Sequence, residues 1–213
     1  ANETLKSELF LIPLINVIIS LVLLLIILRF FSAFVIYKHR NKYMEINDQE
    51  CALLVELKEK SKEEYYGAVH TAYFCERISR ALCLDVDAAK TGGYYRRIGI
   101  LKGENTWETV GGIAKEYAFP KEAVRILREF LDKTAPIKQK ETAVLLMSDA
   151  VISSILYLFA QNSDVPDYDK IIDTVFKQKL ESNVLQVCSI TLEELYRMKK
   201  IFKEEKLYYD FLR

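Results

Sequence analysis

The hydrophobic pattern of the chain begins with one long apolar run. Leu9–Leu28 contains no charged residue and consists mostly of Leu, Ile and Val. At about 1.5 Å per residue, such a run spans roughly 30 Å, the hydrocarbon thickness of a bilayer. Because no polar face interrupts it, and because a cleavable signal peptide has a shorter apolar region, the run predicts a transmembrane helix.

Beyond this run, apolar residues recur every three or four positions, which is the spacing of one helical face. This pattern predicts an all-α fold, a helical bundle preceded by one N-terminal transmembrane helix. We expect a membrane segment with its basic flank at 1–42, a helical linker at 43–64 and one domain at 65–213. The predicted helices are Met44–Lys62, Tyr65–Leu84, a helix capped by Asp85 or Asp87 that runs to Arg97, Thr106–Ala118, Lys121–Phe130, Lys140–Phe159, Asp167–Leu180 and Thr191–Lys203.

Charges that flank the apolar run predict its orientation. The basic residues Lys38, His39, Arg40 and Lys42 follow the run, whereas Lys6 precedes it beside two glutamates. Positive charge is enriched on the cytoplasmic side of membrane proteins. We therefore expect a single-pass protein of the cell membrane with a cytoplasmic C-terminal domain. The chain begins at Ala1 and not at Met, which leaves open whether further transmembrane helices precede it.

Composition removes several functional classes. Its 30 basic and 30 acidic residues give a net charge of zero, so we expect no nucleic-acid partner. Only His39 and His70 are present, which excludes a His-rich metal site. The four cysteines are far apart and form no CxxC pair, which favours reduced thiols over disulfides.

One segment carries a resemblance to a known family. Gly92–Leu101 has the sequence Gly-Gly-Tyr-Tyr-Arg-Arg-Ile-Gly-Ile-Leu. It resembles the segment Tyr-Tyr-His-Asp-Ile-Gly-Lys-Leu of the HD-domain phosphohydrolases, in which the His-Asp pair ligates divalent metal. Arg96 stands at the position of that His, and Arg97 stands at the position of that Asp.

Further passages extend the resemblance over about Gly67–Leu195. Lys140–Val151 resembles the family's Lys-Glu-Thr-Ala-Ile-x-Met-Leu-Ala-Asp-Ser-Val, Ile113–Pro120 resembles Ala-(Arg/Lys)-Glu-Tyr-x-Leu-Pro, and Cys188–Leu195 resembles Cys-Asp-Leu-Thr-Leu-x-Asp-Leu. The resemblance places His70 at the first metal ligand of the family and Asp149 at the last. The family's intervening His-bearing helix and its Glu-x-His-His-Gly element have no counterpart here.

The resemblance therefore implies a degenerate HD domain. Only His70 and Asp149 remain of the metal ligands, and arginine cannot ligate a metal because it stays protonated. We expect no catalytic residue, no metal and no cofactor. We also expect one guanidinium, Arg97 more than Arg96, to replace the metal by pairing with Asp149.

Three functions remain open at this point. The first is a membrane-anchored, inactive HD domain with a regulatory or scaffolding role, acting through a protein partner or as a homodimer. The second is an active phosphodiesterase that uses Mn or Fe, since similar membrane HD proteins with seven transmembrane helices hydrolyse cyclic di-AMP. The third is a nucleotide sensor in which Arg96 and Arg97 bind phosphate without hydrolysis.

Overall fold

The computed structural model describes residues 2–31, 37–132, 134–161 and 166–210. The chain forms two compact units, Ala1–Lys42 and Tyr43–Arg213. In the described residues all regular structure is helical, as the apolar spacing predicts. The fold is therefore all-α.

The N-terminal unit consists of α1 (Asn2–Phe31) and the first part of α2 (Tyr37–Ile46). The predicted transmembrane run lies inside α1, whose stretch Pro13–Phe31 is long and apolar enough to cross a bilayer. Apolar side chains along this stretch are exposed, as they would be if lipid surrounded them. The side chains of Lys38, His39 and Arg40, on which the predicted orientation rests, lie outside the described part of the structure.

The second unit is a bundle of the remaining helices. Their bounds are α3 (Ala52–Lys60), α4 (Lys62–Ala81), α5 (Val86–Tyr95), a 3-10 helix (Ile98–Lys102), α6 (Trp107–Glu116), α7 (Lys121–Leu131), α8 (Lys140–Gln161), α9 (Tyr168–Glu181), α10 (Leu192–Glu204) and α11 (Lys206–Asp210). By length and composition α8 also passes as a membrane span, but 44% of its apolar window is buried inside the domain. Its apolar character therefore reflects a core helix.

The core lies where α4 packs against α5 and α8. Phe74, Tyr95 and Ile152 contribute fully buried side chains from these three helices. The contact between α4 and α5 is close because Gly93 has no side chain, and a Cβ there would lie 2.5 Å from the Cα of Ala72. This contact brings the end of α5 against the side of α4.

Helix starts follow the predicted capping chemistry. The carboxylate of Asp85 accepts from the backbone N–H of Ala88 at 3.0 Å, so Asp85 and not Asp87 is the cap of α5. The predicted capping box of α10 is present, since Thr191 and Glu194 exchange side-chain to backbone hydrogen bonds of 2.7 and 3.2 Å. These short-range signals place two helix starts correctly from sequence.

The helix predicted over Met44–Lys62 is wrong in its continuity, because the chain turns between α2 and α3. Asn47 donates its side-chain amide to the carbonyl of Asp87, and the carboxylate of Asp48 accepts from the N–H of Glu50. These side chains compete with helical hydrogen bonding at that point. Leu53, Leu54 and Leu57 of α3 are buried in the same core as α4, so the expected linker packs as part of the bundle.

Candidate functional site

The two arginines of the Gly92–Leu101 segment lie in the turn between α5 and the 3-10 helix. The helix predicted to reach Arg97 ends at Tyr95, with Arg96 as its C-terminal cap residue. Asn105 closes the turn, because its side chain donates to the carbonyl of Arg96 at 3.0 Å and accepts from the N–H of Gly99 at 3.2 Å. The turn therefore fixes both arginines at one place on the bundle.

Arg96 points into the domain. Arg96 is 1% exposed, and its side chain is the largest of the fully buried side chains in the described residues. Its Nε donates to Oδ1 of Asp149 on α8, and its Nη1 donates to the carbonyl of Gly93 at 3.2 Å. The side chain of Asp149 is itself only 17% exposed, so either charge would be costly to bury without the other.

Two glycines lie beside this guanidinium. A Cβ on Gly67 of α4 would lie 3.4 Å from Nη2 of Arg96, which shows that the guanidinium lies against the backbone of α4. Gly93 supplies the accepting carbonyl and permits the close approach of α5 to α4. The guanidinium therefore occupies a slot between α4, α5 and α8.

Arg97 takes a more exposed position beside the same carboxylate. Its Nη1 donates to Glu64 at 3.0 Å, and its Nη2 lies 3.9 Å from Oδ1 of Asp149. Its side chain is 38% exposed. Burial alone would lower the pKa of Arg97, but the charges of Asp149 and then Glu64 outweigh it and raise the pKa.

The structure thus corrects the expected partner of Asp149. We expected Arg97 to make the closer contact, and instead Arg96 does so. The guanidinium of Arg96 lies beside Gly67 of α4 and donates to the carbonyl of Gly93, whereas the side chain of Arg97 is 38% exposed. Arg97 completes the cluster from outside and is held mainly by Glu64.

His70, the other position at which the resemblance expects a metal ligand, contacts two tyrosines. Its Nδ1 shares a hydrogen bond of 2.8 Å with the hydroxyl of Tyr208 on α11. Its ring stacks on Tyr66, with centroids 6.5 Å apart and an interplanar angle of 18°. Burial lowers the pKa of His70, which favours the neutral imidazole. In the described residues, no hydrogen bond or ion pair joins His70 to Asp149.

The described side chains do not fit a metal. They contain no group of three or more His, Cys, Asp or Glu residues placed to hold an ion. The oxygen that Asp149 offers at the expected position accepts from Arg96 instead. A divalent cation there would meet two fixed guanidinium charges, so the donor set and the electrostatics both disfavour it.

A nucleophilic site has no better support. Cys75 is completely buried, and burial raises the pKa of its thiol to about 12. A thiol with so high a pKa is almost entirely protonated near neutral pH and is a poor nucleophile.

Sequence reasoning missed three residues that shape this site, namely Glu64, Asn105 and Tyr208. Glu64 and Tyr208 act through contacts between segments far apart in the chain, such as the pairing of His70 with Tyr208 across 138 positions, whereas Asn105 closes a local turn. No motif marks them. Only the unusual density of tyrosines near the C-terminus could have drawn attention to one of them.

The fold matches two solved structures of the HD domain of the phosphodiesterase PgpH from L. monocytogenes. The first has a TM-score of 0.62 at 16% identity and covers 74% of this chain and 99% of that chain. The second, a complex with cyclic-di-AMP, has a TM-score of 0.62 at 17% identity and covers 73% of this chain and 96% of that chain. No protein-family model and no curated protein matches the chain. The predicted HD-domain-like fold is confirmed. Sequence identity this low supports a likeness of fold only.

Proposed function

We propose that this chain is an HD domain without metal-dependent hydrolysis, which serves as a regulatory or scaffolding partner in cyclic-dinucleotide signalling. One observation carries the proposal. The guanidinium of Arg96 is buried against Asp149, the residue that the resemblance places at a metal ligand of the HD family. A fixed organic cation therefore takes the place of a metal cation.

The chemistry of phosphodiester hydrolysis explains why this exchange is decisive. Metal ions polarise the phosphoryl group and lower the pKa of bound water, so that hydroxide forms near neutral pH. A guanidinium can stabilise negative charge, but it has no open coordination position for water and cannot activate it. Arg96 and Arg97 thus retain positive charge at the site without a means of generating the nucleophile.

The same exchange accounts for retention of the fold. Asp149 lies among the apolar residues of α8, and an unpaired carboxylate there would be costly. Arg96 neutralises it from inside the bundle, and Arg97 with Glu64 extends the cluster toward the surface. A stable HD domain that does not hydrolyse can still present the surfaces of the fold to a partner.

A second candidate function is a nucleotide sensor, and the exposed edge of Arg97 favours it. Its side chain is 38% exposed, and arginine suits bidentate recognition of phosphate. One structural neighbour is a complex with cyclic-di-AMP. An anion bound at Arg97 would compete with Glu64, which accepts from Nη1 at 3.0 Å, so binding would release Glu64.

The membrane part of the proposal rests on α1. Pro13–Phe31 suits a membrane span by length and composition, and the basic flank at 38–42 favours a cytoplasmic domain. Anchoring would keep the domain near membrane-bound signalling enzymes. A protease-protection assay on sealed vesicles from expressing cells tests the orientation.

The experiment that tests the main proposal uses the full chain purified in neutral detergent. Metal content is measured by mass spectrometry, and cyclic di-AMP is incubated with the protein and added Mn²⁺ or Fe²⁺. The HD domain of PgpH serves as the active control. We expect little bound metal and no linearised dinucleotide, whereas stoichiometric metal with turnover would contradict the proposal.

Calorimetry with cyclic di-AMP, without added metal, separates the two remaining functions. Binding that Arg97→Met abolishes would establish the sensor. No binding to wild type would leave the regulatory or scaffolding role.

A further inference from the structure

A second cluster of arginines lies on α7, away from Arg96 and Arg97. Arg125 and Arg128 are separated by one helical turn and line a cavity of about 390 Å³ together with the segment 135–139. Side chains three positions apart on a helix lie on the same face. Both guanidiniums therefore face the same concave surface.

These arginines differ from the others in the described part of the domain. Every other described arginine there forms a salt bridge with a carboxylate, namely Arg77, Arg80, Arg96, Arg97 and Arg197. Arg125 and Arg128 have neutral partners instead. Arg125 donates its Nε to Oε1 of Gln139 at 2.7 Å, and the guanidinium of Arg128 lies over the Trp107 ring at 5.7 Å from its centroid.

The direct contact partners of both guanidiniums carry no negative charge. Trp107 is itself held in place, since a Cβ on Gly111 would lie 3.1 Å from its ring. Gln139 engages only Nε of Arg125, which leaves the terminal nitrogens of that side chain as donors. The arrangement therefore presents oriented N–H groups whose direct contact partners are neutral.

Two carboxylates also line the cavity, and they keep their negative charge but accept hydrogen bonds from neutral groups rather than from the two arginines. Glu129 accepts from the backbone N–H of Lys138 at 2.7 Å with one oxygen and from that of Gln139 at 3.3 Å with the other. Asp132 accepts from the N–H and hydroxyl of Thr134 at 3.0 and 2.6 Å. Thr134 is the main cause that lowers the pKa of Asp132, and the charge of Arg128 contributes less.

Backbone hydrogen bonds hold the segment 137–139, which borders the cavity. Ile137 is 3% exposed, and its N–H donates to the carbonyl of Val184 at 3.0 Å. Glu129 accepts hydrogen bonds from the backbone N–H groups of the next two residues, Lys138 and Gln139, so the segment 137–139 is held by contacts to both α7 and Val184. Preorganisation of this kind lowers the entropic cost of binding.

We propose that this cavity binds a phosphate-bearing anion through Arg125 and Arg128. The forked donors of arginine match phosphate oxygens, and two guanidiniums one turn apart suit a diphosphate or a phosphate ester with a second charge. Lys138 adds a third positive charge at the rim. The site shares no residue with the Arg96–Asp149 cluster, so it stands or falls independently of the proposed function.

The test is calorimetry of the full chain in neutral detergent with inorganic pyrophosphate. The variant is Arg125→Gln with Arg128→Gln, and the matched control is Arg80→Gln with Arg197→Gln, which removes the same charge from exposed ion pairs elsewhere. We expect the cavity variant to bind about 100-fold more weakly or not at all, since each charge-assisted contact is equivalent to roughly tenfold or more. The control should stay within about twofold.

A second arm distinguishes a soluble anion from a lipid headgroup. The wild-type chain and both double variants are reconstituted in vesicles of phosphatidylcholine, with and without phosphatidic acid, and hydrogen exchange of residues 121–139 is followed. Protection that requires phosphatidic acid and vanishes in the cavity variant identifies the lipid headgroup. The proposal would be overturned if the wild-type chain showed neither pyrophosphate binding nor lipid-dependent protection. It would also be overturned if the control variant lost as much binding as the cavity variant.

Discussion

Arg96 and Asp149 are 53 positions apart in the chain, and they meet through a hydrogen bond from Nε to Oδ1 inside the bundle. α5 ends at this point, and α8 passes beside it with its apolar residues in the core. The pair therefore joins two core helices through opposite charges that are almost completely removed from water. Its main structural effect is to keep each charge from being stranded.

Loss of Arg96 should destabilise the domain strongly. In Arg96→Met the apolar stem is retained while the charge is lost. Asp149 then keeps only a distant cation, Arg97 at 3.9 Å, and a hydrogen bond of 3.4 Å from the hydroxyl of Ser153. Removing one partner of a buried ion pair costs about 3–5 kcal/mol. Urea unfolding of the full chain, followed by circular dichroism and compared with wild type, measures this difference.

Arg97→Met provides the matched comparison. Its side chain is 38% exposed and its main ion pair is with Glu64 near the surface, so the cost should be about 1 kcal/mol or less. Equal losses for the two variants would contradict the assignment of Arg96 as the internal partner.

The sequence predicted the fold well because most features that determine the helices of the fold are local. Helical spacing of apolar residues located the helices of the bundle, and caps such as Asp85 and Thr191 located two of their starts. The break between α2 and α3 escaped prediction because the side chain of Asn47 bonds to α5, a contact across 40 positions. Asn47 and Asp48 are residue types that favour turns, but the spacing of apolar residues alone continues across them.

The site was predictable only in part. The resemblance pointed to Arg96, Arg97 and Asp149, and the structure brings these three together. It could not show which arginine enters the core, because adjacent residues at a helix end project in different directions and tertiary contacts decide between them. Here Arg96 is held inside by its hydrogen bonds to Asp149 and to the carbonyl of Gly93, and no local motif marks these contacts.

Asn105 should matter because it holds the turn that carries both arginines. Asn105→Ala removes its hydrogen bonds to the carbonyl of Arg96 and to the N–H of Gly99. Both groups belong to buried residues, and an unpaired buried polar group costs about 1–3 kcal/mol. Thermal denaturation of the full chain should show a lower midpoint, whereas an unchanged midpoint would show that the turn holds without Asn105.

Gly93 and Gly112 should respond in opposite directions to the same substitution. Gly93→Ala places a Cβ 2.5 Å from the Cα of Ala72, so α4 and α5 must separate and the domain should lose stability. Gly112→Ala meets nothing within 4 Å on an exposed position of α6 and should stabilise by about 0.5–1 kcal/mol. Urea midpoints of the two variants measure both effects, and a neutral Gly93→Ala would show that the close approach is dispensable.

His70 should make the domain less stable as the solution becomes acidic. Burial lowers its pKa in the folded state below the ordinary 6.5, so below pH 6.5 the unfolded chain takes up a proton that the folded chain resists. The contribution of neutral His70 is complete above pH 6.5 and is lost as the pH falls toward its folded-state pKa. The added slope is at most about 1.4 kcal/mol per pH unit for this single group. Unfolding free energies measured across this range should therefore fall less steeply with decreasing pH in His70→Gln than in wild type. His39→Gln removes the other histidine and serves as the control, because it should keep the part of the slope that His70 contributes. A His70→Gln profile parallel to that of wild type would show that the imidazole remains as easily protonated in the folded chain as in the unfolded one.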